Sequence, residues 1–131
     1  ANAPHVLCVD DDPTNNMVLS KFLQQAGFKT TAKISGEEAL NFLLGEPEPP
    51  DIVLVDVSMP GIDGYEMTQL VREVWGPDEL PIVLISGYDA SDTLKKGRLL
   101  GANDAMSKPL LKDEVVARVK WHLQQRGRIE S

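Results

Sequence analysis

Acidic side chains follow two of the apolar runs in this sequence. Residues 6–9 lead directly into Asp10, Asp11 and Asp12, and residues 52–55 lead into Asp56. An acid at the carboxyl end of a buried strand is poorly placed for packing. Several carboxylates that share one crevice repel each other unless a cation lies among them, and Mg²⁺ prefers carboxylate, carbonyl and water oxygens. The pattern therefore predicts a divalent cation site, with open positions for phosphate oxygens.

Two further side chains suit the binding of phosphate. Ser86 and Lys108 come at or just beyond the ends of two later apolar runs, and they carry a hydroxyl and an ammonium group. Phosphoryl transfer depends on positioning and on electrostatic stabilisation of the phosphoryl oxygens. With these two groups as the clamp, the nucleophile would be a carboxylate, and its attack on phosphorus would give an acyl phosphate.

These residues need a scaffold that brings strand ends together, and the hydrophobic pattern predicts one. Five strands alternate with five helices, which indicates an α/β fold with a parallel sheet and helices on both faces. Three strands are continuously apolar and so interior, whereas the second and fifth are mixed or short and so lie at the edges. The predicted strands cover residues 6–9, 28–34, 52–55, 82–85 and 105–107, and the helices lie near 13–26, 35–44, 64–76, 90–100 and 112–128.

The doubly wound order 2-1-3-4-5 has the second and fifth strands at its edges. In this flavodoxin-like arrangement the order reverses between the first and third strands, where ligands bind outside the carboxyl ends. Asp10, Asp11, Asp12 and Asp56 would meet at that reversal point. Beside Pro13, Asp12 has the alternative role of capping the first helix.

Length and charge limit the classes of function. We expect residues 1–131 to form one domain. The net charge of −7, from 20 acids and 13 bases, disfavours direct binding to nucleic acid. Cys8 is the only cysteine and lies in an apolar run, so we expect a buried thiol and a cytoplasmic protein. No apolar run approaches the length of a membrane span.

The motifs that carry these residues resemble one family over essentially the whole chain. The segments VDDDPTN, VDVSMPGIDG, LISG and SKP resemble, in that order, the acidic loop, the phosphoacceptor loop, the switch hydroxyl and the lysine of the receiver domain of two-component response regulators. The resemblance implies the (βα)5 receiver fold. It also implies a phosphorelay in which Asp56 is the phosphoacceptor.

The same resemblance implies the ligands and the partners. Mg²⁺, or Mn²⁺ in its place, would be held by Asp11, Asp56 and the backbone carbonyl of Ser58, with Asp10 helping through water. The donor would be a phosphohistidine on a histidine kinase or a phosphotransfer domain. The domain would catalyse only its own phosphorylation and dephosphorylation. The resemblance is also compatible with effector or kinase domains in the same polypeptide and with a phosphorylation-dependent dimer.

The chain departs from the family pattern at one position. Many receivers carry a Tyr or Phe three residues before the lysine, and this chain has Ala105 there. An aromatic side chain that swings inward is therefore absent. We expect any signal to pass from Ser86 into the loop 87–90 and the poorly anchored fourth helix. Ser58 and Tyr88 occupy the two variable positions that tune acyl-phosphate lifetime in the family.

Other interpretations compete with this one. Asp10, Asp12 and Thr14 formally match the nucleophile motif of haloacid-dehalogenase-type Mg²⁺-dependent phosphatases, with Asp10 as nucleophile. The chain has no room for the usual cap of those enzymes, and no second acidic pair follows the fourth strand. A flavodoxin-like nucleotide binder would place an anion against three consecutive acids.

Three aromatic side chains and the end of the chain complete the expectations. His5 and His122 share no ligand spacing. Trp121 lies off the main apolar stripe of the last helix and either packs at its edge, which we favour, or belongs to a partner surface. We expect that helix to run to Arg128 with little to end it. It would then lead into a linker in a hybrid kinase or a multidomain regulator. A stand-alone receiver is the alternative.

Overall fold

The computed structural model describes residues 3–130 and contains five strands and five helices in strict alternation. The strands form one parallel sheet in the order β2-β1-β3-β4-β5, as predicted. The elements are β1 (His5–Val9), α1 (Pro13–Gln25), β2 (Lys29–Lys33), α2 (Gly36–Gly45), β3 (Ile52–Asp56), α3 (Gly64–Arg72), β4 (Ile82–Ser86), α4 (Ala90–Leu100), β5 (Asp104–Ser107) and α5 (Lys112–Gln125).

Both faces of the sheet are covered, because successive side chains on a strand point to opposite faces. In β1, Val6 and Cys8 pack with α1 and α5, while Leu7 and Val9 pack on the other face, against residues of α2 and α3. Every residue of β3 and β4 is buried. Burial also raises the pKa of the Cys8 thiol to about 12, as suits a core side chain. No helix of residues 3–130 is long and apolar enough to cross a membrane.

Side-chain caps fix where most helices begin. Asp12 accepts a hydrogen bond from the backbone N–H of Thr14, and Ser35 accepts one from Glu38, as the sequence predicted. Asp63 and Asp89 cap α3 and α4 in the same way. Four of the five helices thus have an N-cap residue whose side-chain oxygen accepts a hydrogen bond from a backbone N–H of the first turn.

The predicted apolar stripes were too long. Val18, Leu44 and Val74 are exposed although they keep helical spacing with buried residues. Val74 lies beyond α3, which ends at Arg72. Ile34 lies beyond β2 and is 48% exposed, so the alternation predicted for that edge strand is only partly present. Trp121 is more than half exposed, and its ring meets His122 edge to face.

The last helix ends earlier than predicted. Arg128 donates its backbone N–H to Leu123, Gly127 donates to Gln124, and Gly127 has a φ of +66°. This pair of bonds with a left-handed glycine is a Schellman motif, which stops a helix. The Arg128 guanidinium then pairs with Asp51 at 2.7 Å. The expectation that the helix runs to Arg128 is therefore wrong.

The guanidinium group of Arg72 joins three elements at one end of the fold. Arg72 donates to the backbone oxygens of Gly101 and Leu80 and to the side-chain oxygen of Asn103. It thereby joins the end of α3 to the start of β4 and to the α4–β5 turn. Burial lowers its pKa to about 10, and it remains charged at neutral pH.

A second network surrounds Asp104 at the start of β5. One oxygen accepts from Arg118 at 2.7 Å and the other lies 2.9 Å from His122 Nε2. Burial raises the pKa of Asp104, but the hydrogen bonds from His122 and Ala105 and the charge of Arg118 outweigh it and hold the pKa below its ordinary value. His122, which the sequence assigned to no site, is thus buried as part of this network.

We expect Asp104→Asn to lower the free energy of unfolding by about 1–3 kcal/mol at pH 7, since a partly buried, charge-assisted network loses its negative charge and one of its two acceptor oxygens. A carboxyl with a lowered folded-state pKa stabilises the fold above its unfolded pKa of about 3.9, and that contribution is lost as the pH falls through the folded value. Urea titrations at pH 7 and near pH 3 measure the difference in the free energy of unfolding between the parent protein and the variant. This difference should be smaller in acid, and a difference independent of pH would contradict the stabilising role of the Asp104 carboxylate. Asp78→Asn, at an exposed acid, is the control.

Candidate functional site

Three acids meet at the carboxyl ends of β1 and β3. Asp10 follows β1 and Asp56 ends β3, and both are buried, with 5% and 3% of their surface exposed. Asp11 is exposed beside them. One carboxylate oxygen from each of the three lies within 4.8 Å of the others. Asp12 is turned away, since its side chain caps α1.

Lys108 supplies the positive charge of this crevice. Its Nζ donates to Asp56 Oδ2 at 2.5 Å and lies 3.8 Å from Asp10 Oδ2. Burial lowers the pKa of Lys108, but the hydrogen bond and the charge of Asp56, with Asp10 and Asp11, outweigh burial and raise the pKa. The side chain is therefore an ammonium at neutral pH.

One lysine does not balance three carboxylates. Burial raises the pKa of Asp10, and the charge of Asp56 raises it further, while the backbone N–H of Asp12 and the charge of Lys108 oppose this rise. A divalent cation would relieve the repulsion, and an all-oxygen donor set suits Mg²⁺ or Mn²⁺ better than a softer metal. The residues present thus fit the predicted cation.

The Asp56 carboxylate is oriented by two donors. Lys108 binds Oδ2, and the backbone N–H of Ser58 donates to Oδ1 at 2.8 Å. This second bond folds the chain after Asp56 back toward the strand end, which keeps the Ser58 backbone beside the carboxylate.

Ser86 ends β4, and Lys108 directly follows the neighbouring strand β5 at the same edge of the sheet. Ser86 is buried, and its Oγ accepts a hydrogen bond from the backbone N–H of Tyr88 at 3.0 Å. Its carbonyl accepts from the backbone N–H of Lys108 at 2.8 Å. In the described part of the chain, Ser86 Oγ makes no hydrogen bond to Asp56. A groove of about 450 Å³ opens beside Ser86 and Ser58, and Tyr65, Tyr88 and Lys96 line it.

Asn16 positions the acidic loop, and sequence reasoning missed it. Its Nδ2 donates to the backbone oxygens of Asp10 at 3.0 Å and of Lys33 at 2.9 Å. The amide thus ties the ends of β1 and β2 together beneath the acids. The sequence carries a signal for this role, because Asn16 is a polar residue at helical spacing with the apolar Leu19 and Leu23. The structure shows that all three are buried.

Gly64 and Glu37 position the loop of residues 57–63, which follows Asp56. A Cβ on Gly64 would lie 2.6 Å from the carbonyl oxygen of Asp56 and 2.8 Å from the Cα of Val57, so only glycine lets α3 start this close. Glu37, in the first turn of α2, accepts a hydrogen bond from the backbone N–H of Ile62. Neither role was predicted.

This fold and this site define a doubly wound α/β domain with an acidic crevice at the reversal point of its sheet. The sequence profile of the response regulator receiver domain matches residues 6–120. The chain therefore belongs to the response regulator receiver domain family of two-component systems, as the motifs predicted.

Relatives with different architectures share this region. The two-component response regulator ORR5 of Oryza sativa subsp. japonica is 35% identical over 113 residues, which are 86% of this chain and 84% of that protein. The sensor histidine kinase GacS of Pseudomonas protegens is 34% identical over 92% of this chain. The chain spans only 13% of the kinase, and it spans 52% of the transcriptional regulatory protein PrrA of Mycobacterium tuberculosis.

Solved structures agree with the fold. The chemotaxis protein CheY4 of Vibrio cholerae has a TM-score of 0.85 at 25% identity, over 93% of this chain and 100% of that one. The receiver domain of the Francisella response regulator 1452 has a TM-score of 0.82 at 28% identity, over 93% of this chain and 98% of that one.

We expect Gly64→Ala to lower the free energy of unfolding by about 1–3 kcal/mol, because the new methyl group overlaps the backbone of Asp56 and Val57. The affinity for Mg²⁺ should fall with it, since the loop that follows Asp56 must move. Urea denaturation and Mg²⁺ titration measure the two effects. Gly45→Ala is the matched control, because a Cβ there meets nothing within 4 Å and alanine favours a helix by up to about 1 kcal/mol. Equal effects of the two substitutions would contradict the close approach at Gly64.

Proposed function

We propose that this chain is the phosphoacceptor of a two-component phosphorelay and that Asp56 accepts the phosphoryl group. The observation that carries the proposal is the environment of Asp56. Its carboxylate is buried, oriented by the Ser58 N–H and by Lys108, and faced by two further acids. A carboxylate with that many like charges nearby has little structural use but suits a cation-dependent nucleophile.

Asp10, Asp11 and Asp56, together with the backbone carbonyl of Ser58, would hold Mg²⁺, and Mn²⁺ could replace it. When bound, the ion would neutralise charge on the transferring phosphoryl group and screen the nucleophile from the other acids. Asp10, as the most buried of the supporting acids, would act through water. The exposed position of Asp11 leaves it free to approach the cation directly.

The reaction transfers one phosphoryl group between two side chains. An oxygen of Asp56 forms a bond to phosphorus as the phosphorus–nitrogen bond of a donor phosphohistidine breaks, and the electron pair of that bond stays on the imidazole nitrogen. The Lys108 ammonium, released from the free carboxylate, then binds a phosphoryl oxygen. The Ser86 hydroxyl donates to another. Hydrolysis by water would return Asp56 to its carboxylate, so the domain acts only on itself.

The surface around the crevice suits a protein donor. Met17 and Val18 of α1 and Leu111, the residue before α5, are exposed apolar side chains that follow in sequence the two loops carrying Asp11 and Lys108. A histidine kinase or a histidine phosphotransfer domain would dock there. The name of the relative GacS, a sensor histidine kinase, favours a hybrid arrangement. The buried free thiol of Cys8 favours the reducing cytoplasm.

The rival phosphatase mechanism would use Asp10 as nucleophile. The geometry favours Asp56, since Lys108 Nζ is 2.5 Å from Asp56 and 3.8 Å from Asp10. The segment after β4, where such an enzyme needs a second acidic pair, carries Ser86 and Gly87. No observation supports the phosphatase.

Incubation with Mg²⁺ and acetyl phosphate should label Asp56 once per chain. Reduction of the acyl phosphate and peptide mapping locate the modified residue. Asp56→Asn should abolish the label while leaving the urea midpoint close to that of the parent protein. The label should also require the metal and disappear with EDTA.

Two results would argue for the phosphatase instead. One is a label on Asp10, and the other is multiple turnover of a phosphate ester. Persistent single-site labelling of the Asp56→Asn variant would contradict the assignment of the acceptor.

Lys108→Met should separate metal binding from phosphoryl transfer. Removal of the ammonium takes a competing cation out of the crevice, so Mg²⁺ should bind as tightly as before or more tightly. Labelling by acetyl phosphate should slow by about 10²-fold or more, because a clamp on the phosphoryl oxygens is lost. Lys112→Met, at an exposed lysine of α5, is the control. Weaker Mg²⁺ binding by the Lys108 variant would show that the lysine supports the metal site instead of the transfer.

A further inference from the structure

Ser107, the last residue of β5, forms two hydrogen bonds to the loop after Ser86. Its Oγ donates to the carbonyl oxygen of Tyr88 at 3.1 Å and accepts from the backbone N–H of Ala90 at 3.1 Å. Ser107 and Ser86 are register partners on adjacent strands. Two serine hydroxyls at the same sheet edge therefore hold one short loop.

The peptide groups of Tyr88 are fixed from both sides by these hydroxyls. The N–H of Tyr88 donates to Ser86 Oγ, and its carbonyl accepts from Ser107 Oγ. The ring gives no comparable support, because Tyr88 is 79% exposed. The conformation of the loop thus depends on hydrogen bonds and not on packing of its largest side chain.

The second bond of Ser107 reaches the first residue of α4. The first backbone donors of a helix have no partner within it, and here Asp89 satisfies Ser91 while Ser107 satisfies Ala90. Only Thr93 and Gly97 of α4 are buried. A helix with so few anchors is sensitive to the loss of one contact at its start.

We propose that Ser107 is a positioning residue that holds the β4–α4 loop in its resting position and opposes the movement of Ser86 toward a phosphoryl group on Asp56. When the Ser86 hydroxyl donates to a phosphoryl oxygen, the Tyr88 N–H bonded to it is drawn along. The Tyr88 carbonyl then leaves Ser107, and the start of α4 is released. This role rests on the proposed function of Asp56.

The alternative role is purely structural. As a simple helix cap, Ser107 would stabilise the resting and the phosphorylated states equally, so its removal would lower the resistance to urea without changing the affinity of the site for a phosphoryl group. A restraint that exists only in the resting state must change that affinity, because part of the binding free energy is used to break it. Its removal therefore makes binding tighter.

The test uses Mg²⁺ with beryllium fluoride, which mimics a phosphoryl group on a carboxylate, and follows backbone amide signals by NMR. We expect Ser107→Ala to bind beryllium fluoride about 2- to 10-fold more tightly than the parent protein, the effect of one hydrogen bond that the bound state does not retain. In the free variant the amide signals of Tyr88 and Ala90 should already be displaced toward their bound positions. Ser107→Thr, which keeps the hydroxyl, should restore the parent affinity.

Controls separate the possible failures. Ser91→Ala removes an exposed hydroxyl of α4 and should leave the affinity unchanged. If Ser107→Ala does not fold, Ser107→Cys fills the same space with a weak hydrogen-bonding group and should shift the affinity in the same direction. Equal or weaker binding by the folded variants would overturn the role of Ser107 alone. Failure of the parent protein to bind beryllium fluoride with Mg²⁺ would instead contradict the proposed function of Asp56.

Discussion

Repulsion among carboxylates at the end of a parallel sheet is the constraint on which this structure depends. Asp10 and Asp56 are almost fully buried within a few ångströms of each other, with Asp11 beside them. Burying like charges is costly unless a partner compensates. Lys108 compensates in part, through an ion pair that joins the residue after β5 to the end of β3. A site so arranged stays short of positive charge, and this shortage suits it to a divalent cation.

The scaffold keeps that arrangement from relaxing. Asn16 clamps the backbone below Asp10, Glu37 fixes the loop beyond Asp56, and Gly64 lets α3 begin against the Asp56 carbonyl. Each contact reaches backbone atoms outside the residue's own helix, so the acids cannot separate without disturbing several helices. The crevice is preorganised by parts of the chain that touch neither a metal nor a phosphoryl group.

The sheet order followed from the sequence because interior and edge strands differ in composition, and four motifs at strand ends then placed the acids, Ser86 and Lys108. The supporting residues did not follow, since most partners of Asn16, Arg72 and Ser107 are backbone atoms that only the tertiary fold brings near. Helix ends were also misjudged. Apolar residues with helical spacing continue past the end of α3 at Val74, and α5 ends in a turn at Gly127, a glycine that the prediction did not treat as a stop.

The two ends of α4 differ in the contacts that tie them to the rest of the fold. Its C-terminal end turns at Gly101, whose carbonyl accepts a hydrogen bond from Arg72 of α3. At its start, apart from the cap by Asp89, Ala90 donates its backbone N–H to the Ser107 hydroxyl of β5. We therefore expect the start of α4 to move more easily than its end at Gly101. At 1.5 Å per residue its 11 residues span about 16 Å. A displacement of about 1 Å at Ala90 would tilt α4 by about 4°, so a small shift at the start of the helix would rotate its whole exposed face.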